Sequence, residues 1–148
     1  LSTTNQQAKN MLFPNLGQYS LTVSNNILEI YATGAWDVGM ANMLNDEMAP
    51  IVRQFEQHNW AAIVDCRRWV MSTPECQGIV REGIFDNIRN GLRRAAYVVD
   101  TNHIKYAQLE RTHPQMKSDD PILTAYEREY FTNYLDAIKW LREEGYQP

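Results

Sequence analysis

Trp60-Ala61-Ala62-Ile63-Val64-Asp65-Cys66-Arg67-Arg68-Trp69-Val70-Met71-Ser72-Thr73-Pro74-Glu75 is the stretch whose reading decides the fold. Ala61–Val64 is apolar, too short for a helix and β-branched enough for a buried strand. Ser72-Thr73-Pro74-Glu75 is a helix-start signal, and Asp65–Trp69 between them reads as a polar loop. A buried strand that leaves through a polar loop into a helix is the working unit of open α/β sheets. Ligands and partners of such sheets gather outside the carboxyl ends of the strands. Function is therefore expected at this loop and helix start.

Upstream, Tyr19–Val23 alternates as a half-buried strand, Ser24-Asn25-Asn26 is a turn cluster, and Ile27–Ala32 is a second strand. So short a link makes the pair an antiparallel hairpin. Asp37 is a good N-cap. Met40, Leu44, Met48, Ile51 and Phe55 then follow at helical spacing, which predicts one apolar helix face between about Val38 and Gln57, ended by Asn59. Pro50 lies within it and predicts a kink or a break.

Downstream, Glu75–Asn90 is a helix with Ile79, Val80, Phe85 (or Ile84) and Ile88 inward, stopped by Gly91. Its two glycines, Gly78 and Gly83, suggest close packing on the sheet. Ala95–Val99 is a buried strand flanked by Arg93 and Arg94. A third helix is expected from His103 to Thr112, and Gln115–Pro121 is loop-like. Thr124–Glu129 is expected as a strand. Asn133–Glu144 is a helix with Tyr134, Leu135, Ile138 and Leu141 inward and Gly145 as its stop. The order β-β-α-β-α-β-α-β-α implies an α/β fold, one mixed sheet of about five strands covered by about four helices. Residues 1–17 are expected as an N-terminal arm and 18–148 as a single domain. Leu1–Asn10 is polar and irregular, and whether it is native is open, Met11 being one candidate start.

Composition bounds the function. Of 148 residues, 44% are hydrophobic and 22% charged, as in soluble globular proteins. A net charge of -4 argues against a dominant nucleic-acid footprint. No apolar run approaches the eighteen or so residues a membrane helix needs. Cys66 and Cys76 fit neither a disulfide framework nor zinc-ligand spacing, so a reducing, cytoplasmic setting is expected. His58, His103 and His113 show no metal spacing. No metal and no cofactor is expected.

The order of elements, the strand Ile63-Val64-Asp65 feeding a helix, Gly34-Ala35-Trp36 before the first helix, and the tail Phe131-x-x-Tyr134-Leu135-x-Ala137-Ile138-x-Trp140-Leu141 resemble the STAS / CRAL-TRIO-like superfamily of anti-sigma-factor antagonists and their relatives. The resemblance runs from about Tyr19 to Tyr146. It implies a small α/β protein that binds other proteins and, in the best-known branch, is switched by phosphorylation. The acceptor hydroxyl there follows an Asp at the start of the helix after the central strand. Here the matching positions are Ser72, Thr73 and Pro74, and the Asp is missing.

Each candidate residue has a bland reading beside the functional one. Ser72 and Thr73 are a helix cap or a phosphoacceptor on a helix N-terminus. Arg67, Arg68 and Trp69 are a solvated strand end with a ring over the sheet, or a partner- or anion-binding site built from residue types enriched at hot spots. Cys66 is a buried structural thiol rather than a nucleophile, having no partner at catalytic spacing. Trp36, Met40, Met43 and Met48 are core facing the sheet or the wall of an apolar pocket. The function expected is a non-enzymatic, STAS-like regulatory or protein-interaction module acting through the Arg67–Trp69 loop and the following helix start. The alternative is a carrier of a small apolar, lipid-like ligand held between the sheet and the Met-rich helix. Four tryptophans and an uncovered hairpin edge add the expectation of a protein partner or a homodimer.

Overall fold

A computed structural model describes residues 17–56, 58–71, 73–100, 107, 109, 110 and 121–148. The elements are β1 (Gln18–Ser24), β2 (Ile27–Trp36), α1 (Val38–Arg53), β3 (Trp60–Met71), α2 (Pro74–Arg89), β4 (Leu92–Val98), α3 (Pro121–Ala125), β5 (Glu127–Phe131) and α4 (Tyr134–Glu143). One five-stranded sheet has the order β1-β2-β3-β4-β5. β1 and β2 form the expected antiparallel hairpin, joined by Asn25 and Asn26, with Asn25 at φ 53. β2, β3, β4 and β5 run parallel.

That order determines which faces are covered. Parallel strands joined by right-handed crossovers that always step the same way place every crossover helix on the same face. α1 and α2 accordingly share one face, over a core containing Leu28, Trp36, Met48, Trp60 and Ile88. α4, which follows the last strand, covers the other face and buries Ala137, Ile138 and Leu141 against Ile27, Ile63 and Val98. Its packing is on β3, β4 and β5. Beyond Ile27, toward the carboxyl end of β2, no helix among the described residues covers the second face, and Tyr31 is 41% exposed.

Local sequence reasons account for most boundaries. Asp37 Oδ1 accepts from the Met40 N–H at 3.0 Å and starts α1. α1 does not break at Pro50. The proline is exposed, only three residues from the end at Arg53, so the single lost donor falls in the last turn. The helix ends short of the expected Gln57, in a turn where Glu56 takes φ 53. Phe55 still reaches the core and stacks on Trp60 at 5.0 Å. Gly83 gives close packing against α1 rather than the sheet, since a Cβ there would meet Asn45 Oδ1 at 2.3 Å. Gly78 has open space around it and serves no such contact.

Three expectations are corrected. The strand at Ala61–Val64 continues to Met71, so the Asp65–Trp69 stretch is strand and not loop. β5 is Glu127–Phe131, shifted from Thr124–Glu129 because Pro121–Ala125 forms a short helix. In α4, Leu135 is 77% exposed and Tyr134 partly so, while Ala137 takes the inward place. With Ala137 included, the buried stripe rotates away from Leu135. Of the helix expected at His103–Thr112, Ala107, Leu109 and Glu110 are described, with Leu109 buried, and the remainder lies outside the described residues. So do residues 1–16 of the expected arm.

Candidate interaction face

The carboxyl ends of β2 and β3 lie side by side, with Ala35 beside Val70 and Trp36 beside Met71. Each strand feeds the N-terminus of a helix. Thr73 is the N-cap of α2 and Pro74 its first residue, and Thr73 Oγ1 accepts from the Cys76 N–H at 3.1 Å. Thr73→Ala should therefore cost about 1 kcal/mol in urea unfolding, with Thr73→Ser close to wild type. Ser72 lies outside the described residues.

A bulge explains how β3 passes through Asp65–Trp69. Tyr31 pairs with Asp65 and Thr33 with Arg68, so Cys66 and Arg67 together oppose Ala32. The extra residue resets the alternation of inward and outward positions. Uninterrupted pairing would send Arg68 toward the helices and Trp69 toward solvent. With the bulge, Cys66 and Trp69 both point into the helix-covered core and Arg68 stands on the open face.

Trp69 is thus 5% exposed, which corrects the expectation of a surface tryptophan. Its ring meets Trp36 edge-on at 6.0 Å. Its Nε1 is buried with no hydrogen-bond partner among the described residues, at a cost of about 1–3 kcal/mol that the ring's packing must offset. Arg67 and Arg68 are exposed as expected. Arg67 folds onto Asp65, donating Nη2–H to Oδ2 at 2.7 Å and Nε–H to Oδ1 at 3.1 Å, while its backbone N–H also donates to Oδ1. This fork fastens the bulge, and it aims one guanidinium along the open face.

Burial works against the Asp65 carboxylate, yet the hydrogen bonds from Arg67 and the charges of Arg67 and Arg68 hold its pKa below the ordinary carboxylate value. The folded pKa is depressed, so the contribution is present above the unfolded value of about 3.9 and is lost as pH falls through the folded one. Asp65→Asn should cost about 1 kcal/mol at pH 7. In paired unfolding curves the difference from wild type should shrink below roughly pH 4.

Around these arginines the open face carries Tyr31, Thr33, Ala35 and Val70, the last 50% exposed. A shallow groove of about 120 Å³ beside them is lined by Ser20, Glu29, Tyr31, Asp65 and Tyr134. The Tyr134 hydroxyl donates to Glu29 Oε1 across it. Tyr31 and Val70 escape a reading of the sequence. Each looks like an ordinary strand hydrophobe, and what leaves them exposed is that α4 packs over β3, β4 and β5 rather than over the carboxyl end of β2.

The other candidates are dispersed. Trp36 and Met48 line a cavity of about 70 Å³ between the sheet and α1 and α2. Met40 packs against the core edge, and Met43 is exposed, so the four do not form one pocket wall. Cys66 and Cys76 are both buried and are not joined in a disulfide. Burial, with the nearby Asp37 charge, pushes the Cys76 thiol up to about 11, away from a reactive thiolate. His58 is exposed; His103 and His113 lie outside the described residues. Among the described residues no three His, Cys, Asp or Glu gather as a metal site, and no helix is long and apolar enough to cross a membrane.

Solved structures share this architecture. An uncharacterised DUF3478-family protein with a SpoIIAA-like fold, from Shewanella loihica PV-4, superposes with a TM-score of 0.61 at 12% identity, over 84% of this chain and 93% of that one. The fold is STAS-like. An anti-sigma factor antagonist from Mycobacterium paratuberculosis gives a TM-score of 0.50 at 12% identity, over 87% of this chain and 97% of that one. No family model and no curated protein matches the sequence. The STAS-like fold is the one that element order and the Ile63-Val64-Asp65 strand led to. Identity this low speaks for the fold alone, so the roles of Arg67, Arg68 and Thr73 rest on their own geometry.

Proposed function

We propose that this STAS-like domain is a non-enzymatic regulatory module that binds another protein. Its contact surface is the open face at the end of β3, with Arg67, Arg68, Tyr31 and Val70, together with the start of α2. The observation that carries this reading is the exposure of the second sheet face at the carboxyl ends of β2 and β3 among the described residues. A half-exposed valine and tyrosine sit there beside two guanidiniums, and α4 packs elsewhere. Arginine and tyrosine are enriched among the residues that dominate binding energy, and a flat apolar centre with a charged rim suits a protein partner. One protein of this fold is an anti-sigma factor antagonist, which supports a regulatory role. No cofactor is needed for such a role, and two cysteines not joined in a disulfide fit a cytoplasmic setting.

The carrier alternative needs a pocket of about 300 Å³ or more for a drug-sized apolar ligand. The cavity of about 70 Å³ against Trp36 and Met48 counts against it. The Thr73 hydroxyl oxygen accepts from the Cys76 N–H, which supports the cap over the phosphoacceptor reading.

The test compares the wild-type domain with Arg68→Glu and Val70→Asp variants as baits for partner capture from the native cell extract. Both residues are exposed, so unfolding free energies should be unchanged within about 0.5 kcal/mol. A partner held by wild type and lost from both variants is the expected result. An identical set of captured proteins from all three would overturn the assignment.

A further inference from the structure

The two edges of the sheet are unlike. β5 is short and carries Glu127, Arg128 and Glu129 within its five residues. Charges on a short edge strand discourage further pairing. β1, the other edge, is seven residues, Gln-Tyr-Ser-Leu-Thr-Val-Ser, with no charge, proline or glycine. An edge of that kind is a template for another strand.

The hairpin register shows which groups β1 offers. A two-residue link makes Ser24 and Ile27 a hydrogen-bonded pair, and bonded pairs alternate from there. The backbone groups of Ser20, Thr22 and Ser24 therefore turn toward β2. Those of Tyr19, Leu21 and Val23 turn outward, away from the sheet. Val23 is 43% exposed although it belongs to the apolar row of the strand.

We propose that β1 is the site of self-association, pairing antiparallel with β1 of a second copy about a twofold axis at Leu21. In that register the whole strand overlaps, and every outward N–H of one copy faces an outward carbonyl of the other. Leu21 opposes the partner's Leu21. Tyr19 opposes the partner's Val23, an aromatic over a β-branched side chain, and Ser20 opposes the partner's Thr22, a hydroxyl pair. Both are favourable cross-strand pairs worth roughly 0.2–1 kcal/mol each. No like charges meet, because β1 has none. This self-complementarity is the argument for a second copy over a foreign extended peptide, which would match the same backbone groups but has no reason to satisfy the side chains. The partner's Tyr19 covers the exposed Val23, and two five-stranded sheets become one continuous sheet without an open β1 edge. The surface differs from the Arg68 face, and the inference does not depend on the proposed protein partner.

Sedimentation velocity of the full chain decides it. Wild type is expected at twice the 17.2 kDa chain mass at roughly 50 µM. Val23→Pro removes one outward N–H while leaving the β1–β2 bonds intact, and Val23→Lys places a charge opposite the partner's Tyr19. Each should raise the dimer dissociation constant by about tenfold or more, with an unchanged far-ultraviolet circular dichroism spectrum. A wild-type chain that stays at 17.2 kDa, or a dimer indifferent to both substitutions with folding intact, overturns the proposal. An added β1 peptide should compete for the edge, and its failure to dissociate a dimer would place the contact elsewhere.

Discussion

Trp60→Ala is expected to cost about 3–5 kcal/mol, among the largest effects of any single substitution in the chain. Trp60 is fully buried at the first position of the central strand. Phe55, from the turn after α1, stacks on its ring at 5.0 Å with planes 7° apart. Its Nε1 donates to the Asn90 carbonyl at 3.0 Å, and its backbone N–H donates to Gly91 O at 3.0 Å. One side chain thus joins the end of α1, the end of α2 and the start of β3. Alanine leaves a large cavity and strands the Asn90 carbonyl. Trp60→Phe keeps most of the packing and loses one hydrogen bond, so it should cost nearer 1–2 kcal/mol. Denaturant unfolding that found the two variants equal would show that the ring's volume matters less than its N–H.

Gly91→Ala should cost about 3 kcal/mol for two separate reasons. Gly91 takes φ +107, a region that L residues rarely adopt. A Cβ there would also meet the His58 carbonyl oxygen at 2.6 Å. That oxygen is backbone, so relief requires moving the chain at the entrance to β3. Gly78→Ala is the contrasting control. It sits inside α2 with open space around the new Cβ, and should stabilise by about 0.5–1 kcal/mol through helix propensity. If both glycines responded alike, the close approach at His58 would not be the cause.

Most of the frame was legible because its signals are local. Asp37, Thr73 and Asn133 each precede a helix and each caps one. The Asn25-Asn26 turn sets the hairpin register. The alternation of strands and helices implied parallel crossovers. What failed depends on tertiary context. The bulge at Cys66 and Arg67 leaves no sequence mark, since two arginines after an Asp look like a solvated loop. It becomes visible only as a register shift against Tyr31 and Thr33. The burial of Trp69 follows from that shift, so the exposure of Arg68 and the burial of Trp69 have one cause. Leu135 failed differently. Its apolar character was counted toward the inward stripe, whereas the smaller Ala137 fits against the sheet. The open face itself cannot be read from any one segment, because it results from the order of five strands and the position of α4 over β3, β4 and β5.

The central claim is that a partner protein docks on that open face. Backbone amide hydrogen exchange, measured on the domain with and without its captured partner, tests it most directly. Binding is expected to slow exchange in residues 31–36, 66–71 and the first turn of α2, with Arg68→Glu removing the effect. Protection confined to the outer surfaces of α1 and α2, with the ends of β2 and β3 exchanging as in the free domain, would contradict the account.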